Sequence, residues 1–152
     1  MGVQGILVHS SDTWLGRLWG GLKRLVGLGP PTTCAPRQAQ PNPNALELYQ
    51  NPEFKALVNN DAIDCSQLAN ELLEASGRHG GEMVINPSQD QIRVRFPIKF
   101  GIEQGNYHSV YCDGEFVFDP RFRDTPTPRA EYEALIRELN EGNVDINFGD
   151  RE

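Results

Sequence analysis

Residues 107–119 read YHSVYCDGEFVFD, in which two runs of strand-forming residues flank an Asp-Gly pair. Asp-Gly is a strong signal for a two-residue hairpin turn of type I′, because both central residues of that turn take positive φ values. With Asp113 and Gly114 in the turn, Cys112 lies opposite Glu115. The stretch therefore predicts an antiparallel β-hairpin.

Counting outward from this turn places His108 opposite Asp119. Directly opposed residues of an antiparallel pair have Cβ atoms roughly 5 Å apart on one face of the sheet. The carboxylate can then bind an imidazole nitrogen and fix the tautomer of the ring. The pair is a candidate for the base and the orienting acid of a catalytic triad.

Cys65 is the candidate nucleophile, because it stands at the predicted start of a helix. Asp64 before it is a good N-cap, and apolar residues recur after it at helical spacing, at positions 68, 69, 72 and 73. The free amides and the positive end of the helix dipole stabilise a thiolate there, and a nearby imidazolium does so further. We therefore expect Cys65 to be reactive.

Each of these residues also has a plain structural interpretation. A single cysteine is more often a small buried hydrophobic residue, and a strand histidine more often satisfies a local hydrogen bond. The conjunction of Cys65, His108 and Asp119 favours the catalytic interpretation. A rival base, His79, lies in a glycine-rich segment that favours a solvated loop, with no acid set opposite it.

Three short motifs follow one another in the chain: DCSQLA at residues 64–69, HSV at 108–110 and VFDP at 117–120. In this order they resemble the papain-fold toxin domains of bacterial polymorphic toxins, which belong to the wider papain/transglutaminase-like group. The resemblance covers roughly residues 45–141. It implies an α+β, papain-like fold, in which the helix that carries the nucleophile packs on a small antiparallel sheet.

By this resemblance Cys65 is the nucleophile, His108 the general base and acid, and Asp119 the orienting acid. The family includes presumed peptidases and glutamine deamidases, so it implies a thiol-dependent amide hydrolase that works through a thioester. The chain lacks the aromatic-flanked cysteine motif of lysosomal papain-like proteases. An ordinary digestive protease is therefore not expected.

The tetrahedral intermediate of such a reaction needs hydrogen-bond donors for its oxyanion. The backbone amide of Cys65, at the helix start, is the first candidate. The side-chain amides of Asn59, Asn60 and Gln67 are further oxyanion candidates, since they lie close along the chain. The spacing from Asn59 to Cys65 resembles that of the upstream amide donor in papain-like enzymes.

The resemblance to toxins also implies partners and a place of action. We expect a protein substrate in a target cell and a cognate immunity or inhibitor protein. The N-terminus lacks a charged leader followed by a continuous apolar run, so delivery by a specialised secretion system, or release from a larger carrier, is expected. The protein would then work in a reducing cytosol.

Composition narrows the class of function. The chain has 152 residues, a length that suits one domain with a hydrophobic core. Its formal net charge of −7 argues against general binding to nucleic acid, which needs a basic surface. Its three cysteines are Cys34, Cys65 and Cys112, and their spacing matches neither a disulfide framework nor a zinc site. We expect no metal and no cofactor.

Two other classes of function stay open. The same triad can transfer an acyl group to an amine, as in a transglutaminase or an acyltransferase. Alternatively, the chain is a non-enzymatic protein-binding module in which Cys65 is buried. Rapid alkylation of Cys65 at neutral pH would oppose the binding module.

The composition divides the chain into an amphipathic segment at 1–28, a Pro-rich linker at 29–43, a catalytic domain at 44–142 and an acidic tail at 143–152. Residues 14–28 alternate apolar and basic side chains at helical spacing, so membrane contact is a less favoured alternative to packing on protein. The tail has little apolar content and is expected to fray.

Capping and alternation signals predict the remaining elements. Asn44 with Glu47 has the form of a capping pair for a first helix, and Asn51-Pro52 opens a second. Residues 83–85 and 92–96 read as strands of an antiparallel sheet. A last helix opens at Thr127-Pro128, ends at Gly142 and covers the sheet.

Overall fold

The computed structural model describes residues 39–89 and 91–149, which belong to one compact unit of the chain. Its elements in chain order are α1 (Pro43–Gln50), α2 (Pro52–Val58), α3 (Cys65–Ala75), β1 (Gly81–Pro87), β2 (Val94–Ile98), β3 (Gly101–Gly105), β4 (His108–Cys112), β5 (Phe116–Phe118), β6 (Thr127–Pro128), α4 (Arg129–Leu139) and β7 (Val144–Gly149). The α+β class expected from the sequence is confirmed.

The main sheet is antiparallel and has the strand order β6-β5-β4-β1-β7. Its central pair, β1 and β4, sets Ile85 opposite His108. Strands β2 and β3 form a separate hairpin. The strand predicted at 83–85 lies within β1, and the one predicted at 92–96 begins later, at Val94.

Both faces of the main sheet are covered, because successive side chains of a strand point to opposite faces. Val110 and Cys112 of β4 enter a cluster with α4 and β2, whereas Tyr111 between them packs against α1, α2 and α3. The apolar face predicted for α3 is confirmed as buried: Leu68, Ala69, Leu72 and Leu73. Helix α3 is therefore fixed on the sheet beside β4.

The register of the β4–β5 hairpin differs from the prediction. Cys112 pairs with Val117 and not with Glu115, so the direct pairing of His108 with Asp119 is wrong. The register is shifted by two residues. Because the side-chain period of a strand is two, this shift leaves both residues on the face where they were expected.

The shift has a local cause in the Asp113 side chain. Its Oδ1 accepts hydrogen bonds from the backbone N–H groups of Glu115 at 3.0 Å and Phe116 at 2.7 Å. An aspartate that bonds the backbone ahead of it stands at the first position of a turn. The turn is therefore centred on Gly114 and Glu115, and Gly114 has the positive φ of 108° that this turn requires.

The acidic tail is not frayed over the residues that the structure describes. Residues Val144–Gly149 form β7, which pairs with β1 along the edge of the main sheet. Val144 is buried in the core, and Ile146 and Phe148 pack against the same cluster. Their alternation with polar residues is the period of a half-buried strand, so the domain boundary predicted at 142 is wrong.

Two helix starts also differ from the prediction. Asn42, not Asn44, caps α1: its Oδ1 accepts from the backbone N–H groups of Asn44 and Ala45, each at 3.1 Å. Pro128 takes part in β6, and α4 begins one residue later, at Arg129. The predicted cap of α2 is confirmed, because Asn51 accepts from Glu53 N–H at 2.7 Å.

The amphipathic segment predicted at 1–28, with its possible membrane contact at 14–28, lies outside the described residues, as do Cys34 and most of the linker. Across 39–89 and 91–149, no helix has the length and apolar character needed to cross a bilayer.

Candidate active site

Cys65 is the first residue of α3, as predicted. Asp64 is the N-cap: its Oδ1 accepts from Ser66 N–H at 3.1 Å, and its own N–H donates to Gln67 Oε1 at 2.8 Å. This capping box fixes the first turn of the helix. The Cys65 side chain is partly exposed there.

His108 and Asp119 form the second half of the site. His108 Nε2 lies 2.9 Å from Asp119 Oδ2, and both residues are buried, with exposed fractions of 1% and 4%. A carboxylate only accepts hydrogen bonds, so Nε2 is the donor and the neutral ring leaves Nδ1 as an acceptor. Nδ1 is buried and has no hydrogen-bond partner among the described residues.

Phe96 of β2 packs against the flat face of the His108 imidazole ring. The rings of Phe96 and His108 are stacked, with centroids 4.0 Å apart and planes 3° from parallel. This contact limits rotation of the imidazole out of its plane. The sequence carried no signal for it, because β2 and β4 belong to different sheets.

Tyr132 of α4 is a further member of the site that sequence reasoning missed. Its hydroxyl donates to Asp119 Oδ2 at 2.7 Å. It lies on the buried face of α4 and has no exposed surface. One signal was present: a buried tyrosine hydroxyl needs a partner.

Cys65, His108 and Asp119 border one small internal cavity. Cys65 and His108 also line an open cleft of about 430 Å³, between the segment before α3 and the end of β3. Tyr107 and Arg121 contribute to its wall. The structure thus brings the three predicted catalytic residues together.

A larger cavity of about 580 Å³ lies elsewhere, bordered by Arg95, Gln104, Asn140 and neighbouring residues. Among the residues that the structure describes, no cysteine, histidine, serine or threonine lines it. The smaller cleft is the better candidate for an active site, because it joins a thiol to a buried histidine.

The expectation of a stabilised thiolate at Cys65 is wrong for this structure. Burial raises the pKa of the Cys65 thiol to about 12, and a hydrogen bond to Asp64 acts in the same direction. The thiol donates to Asp64 Oδ1 at 3.1 Å. The backbone N–H of Ser109 lowers the pKa by a smaller amount, so the resting cysteine is a neutral thiol.

Asp64 has a second partner in the cleft. Tyr107 donates its hydroxyl hydrogen to Asp64 Oδ2 at 2.7 Å. This bond is the main reason that the pKa of Asp64 is lowered to about 2, and the bond from Cys65 comes next. Asp64 is therefore ionised at neutral pH, and its charge lies beside the thiol.

The side-chain oxyanion candidates are not placed at the cleft. Asn59 Nδ2 donates to Lys55 O at 3.0 Å, Asn60 Oδ1 accepts from Ala62 N–H at 3.0 Å, and Gln67 belongs to the capping box. None of the three lines the cleft. Each of these side chains is bonded to backbone within four residues of itself, Asn59 through Nδ2, Asn60 through Oδ1 and Gln67 through Oε1.

The backbone N–H of Cys65 remains a candidate donor for the oxyanion, because the first N–H groups of a helix have no acceptor within the helix. The rival base, His79, is exposed at the opposite end of β4, where Tyr111 donates to its carbonyl at 2.7 Å. Cys112 is fully buried in the core. Neither residue lines the cleft.

No group of three or more acidic, histidine or cysteine side chains within 39–89 and 91–149 is arranged to hold a metal ion. Comparison with protein-family models, curated proteins and solved structures finds no match to this chain.

Proposed function

We propose that the protein is a thiol-dependent amide hydrolase that acts on proteins through Cys65, His108 and Asp119. The observation that carries this proposal is the unpaired Nδ1 of buried His108, on a ring whose Nε2 is bound to Asp119 and which lines the same cleft as Cys65. A buried nitrogen without a partner costs stability, and a catalytic role explains why such a group is kept.

In the proposed mechanism Cys65 Sγ gives its proton to His108 Nδ1, and the resulting thiolate attacks the amide carbonyl carbon. The Sγ–C bond forms as the carbonyl electron pair moves to oxygen, where the Cys65 N–H stabilises it. The oxyanion then collapses, the C–N bond breaks, and His108 gives the proton to the departing nitrogen. Water, activated by His108, releases the acid and restores the thiol.

The raised pKa of Cys65 bears on this mechanism. Because burial and Asp64 raise the pKa of the Cys65 thiol, the proposed mechanism has the base take the proton during attack. Substrate entering the cleft must also break the hydrogen bond between the Cys65 thiol and Asp64. We therefore propose general-base activation and not a preformed thiolate–imidazolium pair.

The resemblance to papain-fold toxin domains supplies the biological part of the proposal. The protein is a bacterial effector or toxin, delivered into a target cell and active in its reducing cytosol, where the thiol stays reduced. Its substrate is a protein, and a cognate inhibitor protects the producing cell. Protein glutamine deamidation and peptide cleavage both fit the chemistry, because each breaks an amide C–N bond.

One observation favours a different class of function. A neutral, hydrogen-bonded Cys65 is also what a non-enzymatic binding module would carry. In that case the cleft would bind a partner protein and the thiol would be inert.

Transfer of an acyl group to an amine uses the same thioester and differs only in its last step.

The first test is toxicity on expression in bacterial and eukaryotic cells. Cys65→Ala, His108→Gln and Asp119→Asn are compared with the wild type after folding is verified for each. Cys112→Ala and His79→Ala are the matched controls, since they remove a thiol and an imidazole away from the cleft. We expect the first three to lose toxicity and the controls to keep it. Toxicity that survives Cys65→Ala would exclude the thiol mechanism.

A second test separates the possible products. The purified chain is incubated with glutamine-containing peptides, and ammonia and new peptide N-termini are measured together. Ammonia without new N-termini identifies a deamidase, and new N-termini identify a protease. Incorporation of an added amine identifies a transglutaminase, and no product with any substrate favours the binding module.

A further inference from the structure

We infer that Tyr132 is a positioning residue of the proposed site, which acts by holding Asp119 and, through it, the His108 ring. This inference rests on the proposed function. Tyr132 lies on α4, which otherwise has the features of a helix that only covers the sheet.

The contact geometry carries the inference. Asp119 Oδ2 accepts from both Tyr132 Oη, at 2.7 Å, and His108 Nε2, at 2.9 Å. The two donors therefore converge on one oxygen atom. Tyr132 has no exposed surface, and the other two residues are almost completely buried, so bulk water has little access to this oxygen.

Asp119 needs such support because β5 ends before it, at Phe118. Its backbone carbonyl accepts from the N–H groups of Phe122 and Arg123 in the following turn, each at 3.1 Å. The direction of its carboxylate is then set by its side-chain partners. Tyr132 is the partner that takes no part in the proposed proton transfer.

The orientation of the Asp119 carboxylate affects the Cys65 thiol through the tautomer of His108. While the carboxylate faces Nε2, the proton of the neutral ring stays on Nε2 and Nδ1 remains an acceptor. If the carboxylate turns away, both tautomers become accessible and part of the population loses its base. Burial and Asp119 raise the pKa of Tyr132 well above its usual value, so its hydroxyl stays a donor throughout the working pH range.

The test uses the full chain and two readouts that need no substrate. Tyr132→Phe removes only the hydroxyl. The ¹⁵N chemical shifts of the His108 ring report its tautomer, with exposed His79 as the internal reference, and iodoacetamide reports the reactivity of Cys65. We expect Tyr132→Phe to give averaged His108 shifts and about tenfold slower alkylation. This loss is smaller than the roughly 10²–10⁴-fold contribution of a whole general base, because the base is still present and only its orientation is lost.

Two further variants separate positioning from stability. Ile136→Val removes a methyl group from the same buried face of α4 without touching Asp119, and it should leave both readouts unchanged. Tyr132→Phe should have no further effect in an Asp119→Asn background, because the residue through which it acts is altered. Wild-type shifts and alkylation in Tyr132→Phe would overturn the inference.

If Tyr132→Phe does not fold, the wild type provides the test. The Tyr132 hydroxyl proton and the His108 Nε2 proton share one acceptor, so they should exchange slowly with water and show a mutual cross-peak; absence of this cross-peak would contradict the inference. Equal rates of Cys65 alkylation in the wild type and in His108→Gln would refute the proposed function, whichever tautomer His108 adopts.

Discussion

The Cys65 thiol donates a hydrogen bond to Asp64 Oδ1 over 3.1 Å, so the residue that caps α3 also binds the candidate nucleophile. A helix start is ordinarily a favourable position for an anion, because of its free N–H groups and the helix dipole. Here the cap is itself an anion beside the sulfur, and its effect on the thiol is the opposite.

Replacing Asp64 by asparagine should therefore activate Cys65. Asparagine caps helices about as well as aspartate, so the variant removes the charge and keeps the helix start. The pKa of Cys65 should fall from about 12. Each unit of that fall raises the thiolate fraction about tenfold, and alkylation should speed up about three- to fourfold per unit, because a less basic thiolate is also a weaker nucleophile. Peptide-level mass spectrometry after iodoacetamide treatment measures this rate.

Asp61→Asn is the control for that experiment, because Asp61 is an exposed acid of the same cleft that does not contact the thiol. Its alkylation rate should match the wild type. Equal rates for the wild type and Asp64→Asn would show that the charge of Asp64 does not contribute to the reactivity of Cys65.

Acid stability should depend on the bond between Tyr107 and Asp64. The pKa of Asp64 is lowered from 3.8 to about 2 in the folded protein, so its stabilisation is complete above pH 3.8 and is lost as the pH falls toward 2. Tyr107→Phe removes the largest cause of the lowered pKa and should weaken this pH dependence. Denaturant unfolding at several pH values across this range measures it.

Tyr111→Phe is the matched control, because the Tyr111 hydroxyl donates to a backbone carbonyl and not to a carboxylate. We expect a loss of stability of about 1 kcal/mol that does not change over the acid range. The same pH dependence in Tyr107→Phe and the wild type would contradict the assignment to Asp64.

Truncation should distinguish a paired β7 from a frayed tail. A chain that ends at Asn143 loses every β7 partner of β1 and removes Val144 from the core. We expect it to lose cooperative thermal unfolding, because β1 becomes an unpaired edge. A chain that ends at Gly149 should unfold like the full chain, and equal melting of both truncations would refute the pairing.

Gly80→Ala should strongly destabilise the fold. Gly80 has a φ of +85°, and a Cβ there would lie 2.2 Å from the carbonyl oxygen of Cys112, so strain and a backbone clash combine. We expect a loss of more than about 2 kcal/mol in the free energy of unfolding. Denaturant titration measures it.

Gly77→Ala is the control for the clash. Gly77 also has a positive φ, of +73°, but a Cβ there meets only the His79 side chain, at 3.8 Å. Its cost should be about 1 kcal/mol, the conformational part alone. Similar losses at both glycines would show that the close approach to Cys112 adds nothing to the destabilisation by Gly80→Ala.

The sequence by itself determined the features that depend on neighbouring residues. Asp64 and Asn51 cap their helices because a side-chain oxygen reaches an amide two residues ahead. His108 and Asp119 share a face of the hairpin because strand periodicity survives a register error of two residues. The α+β class follows from the same local periods.

The tertiary structure decided what depends on distant partners. The pairing of β7 with β1 and the bond from Tyr132 to Asp119 join elements whose relative positions no local pattern encodes. The raised pKa of Cys65 depends mainly on burial, which exists only once the chain has packed. Residue types and spacings could therefore predict a candidate thiol and a candidate base, but the protonation state of the thiol depends on packing.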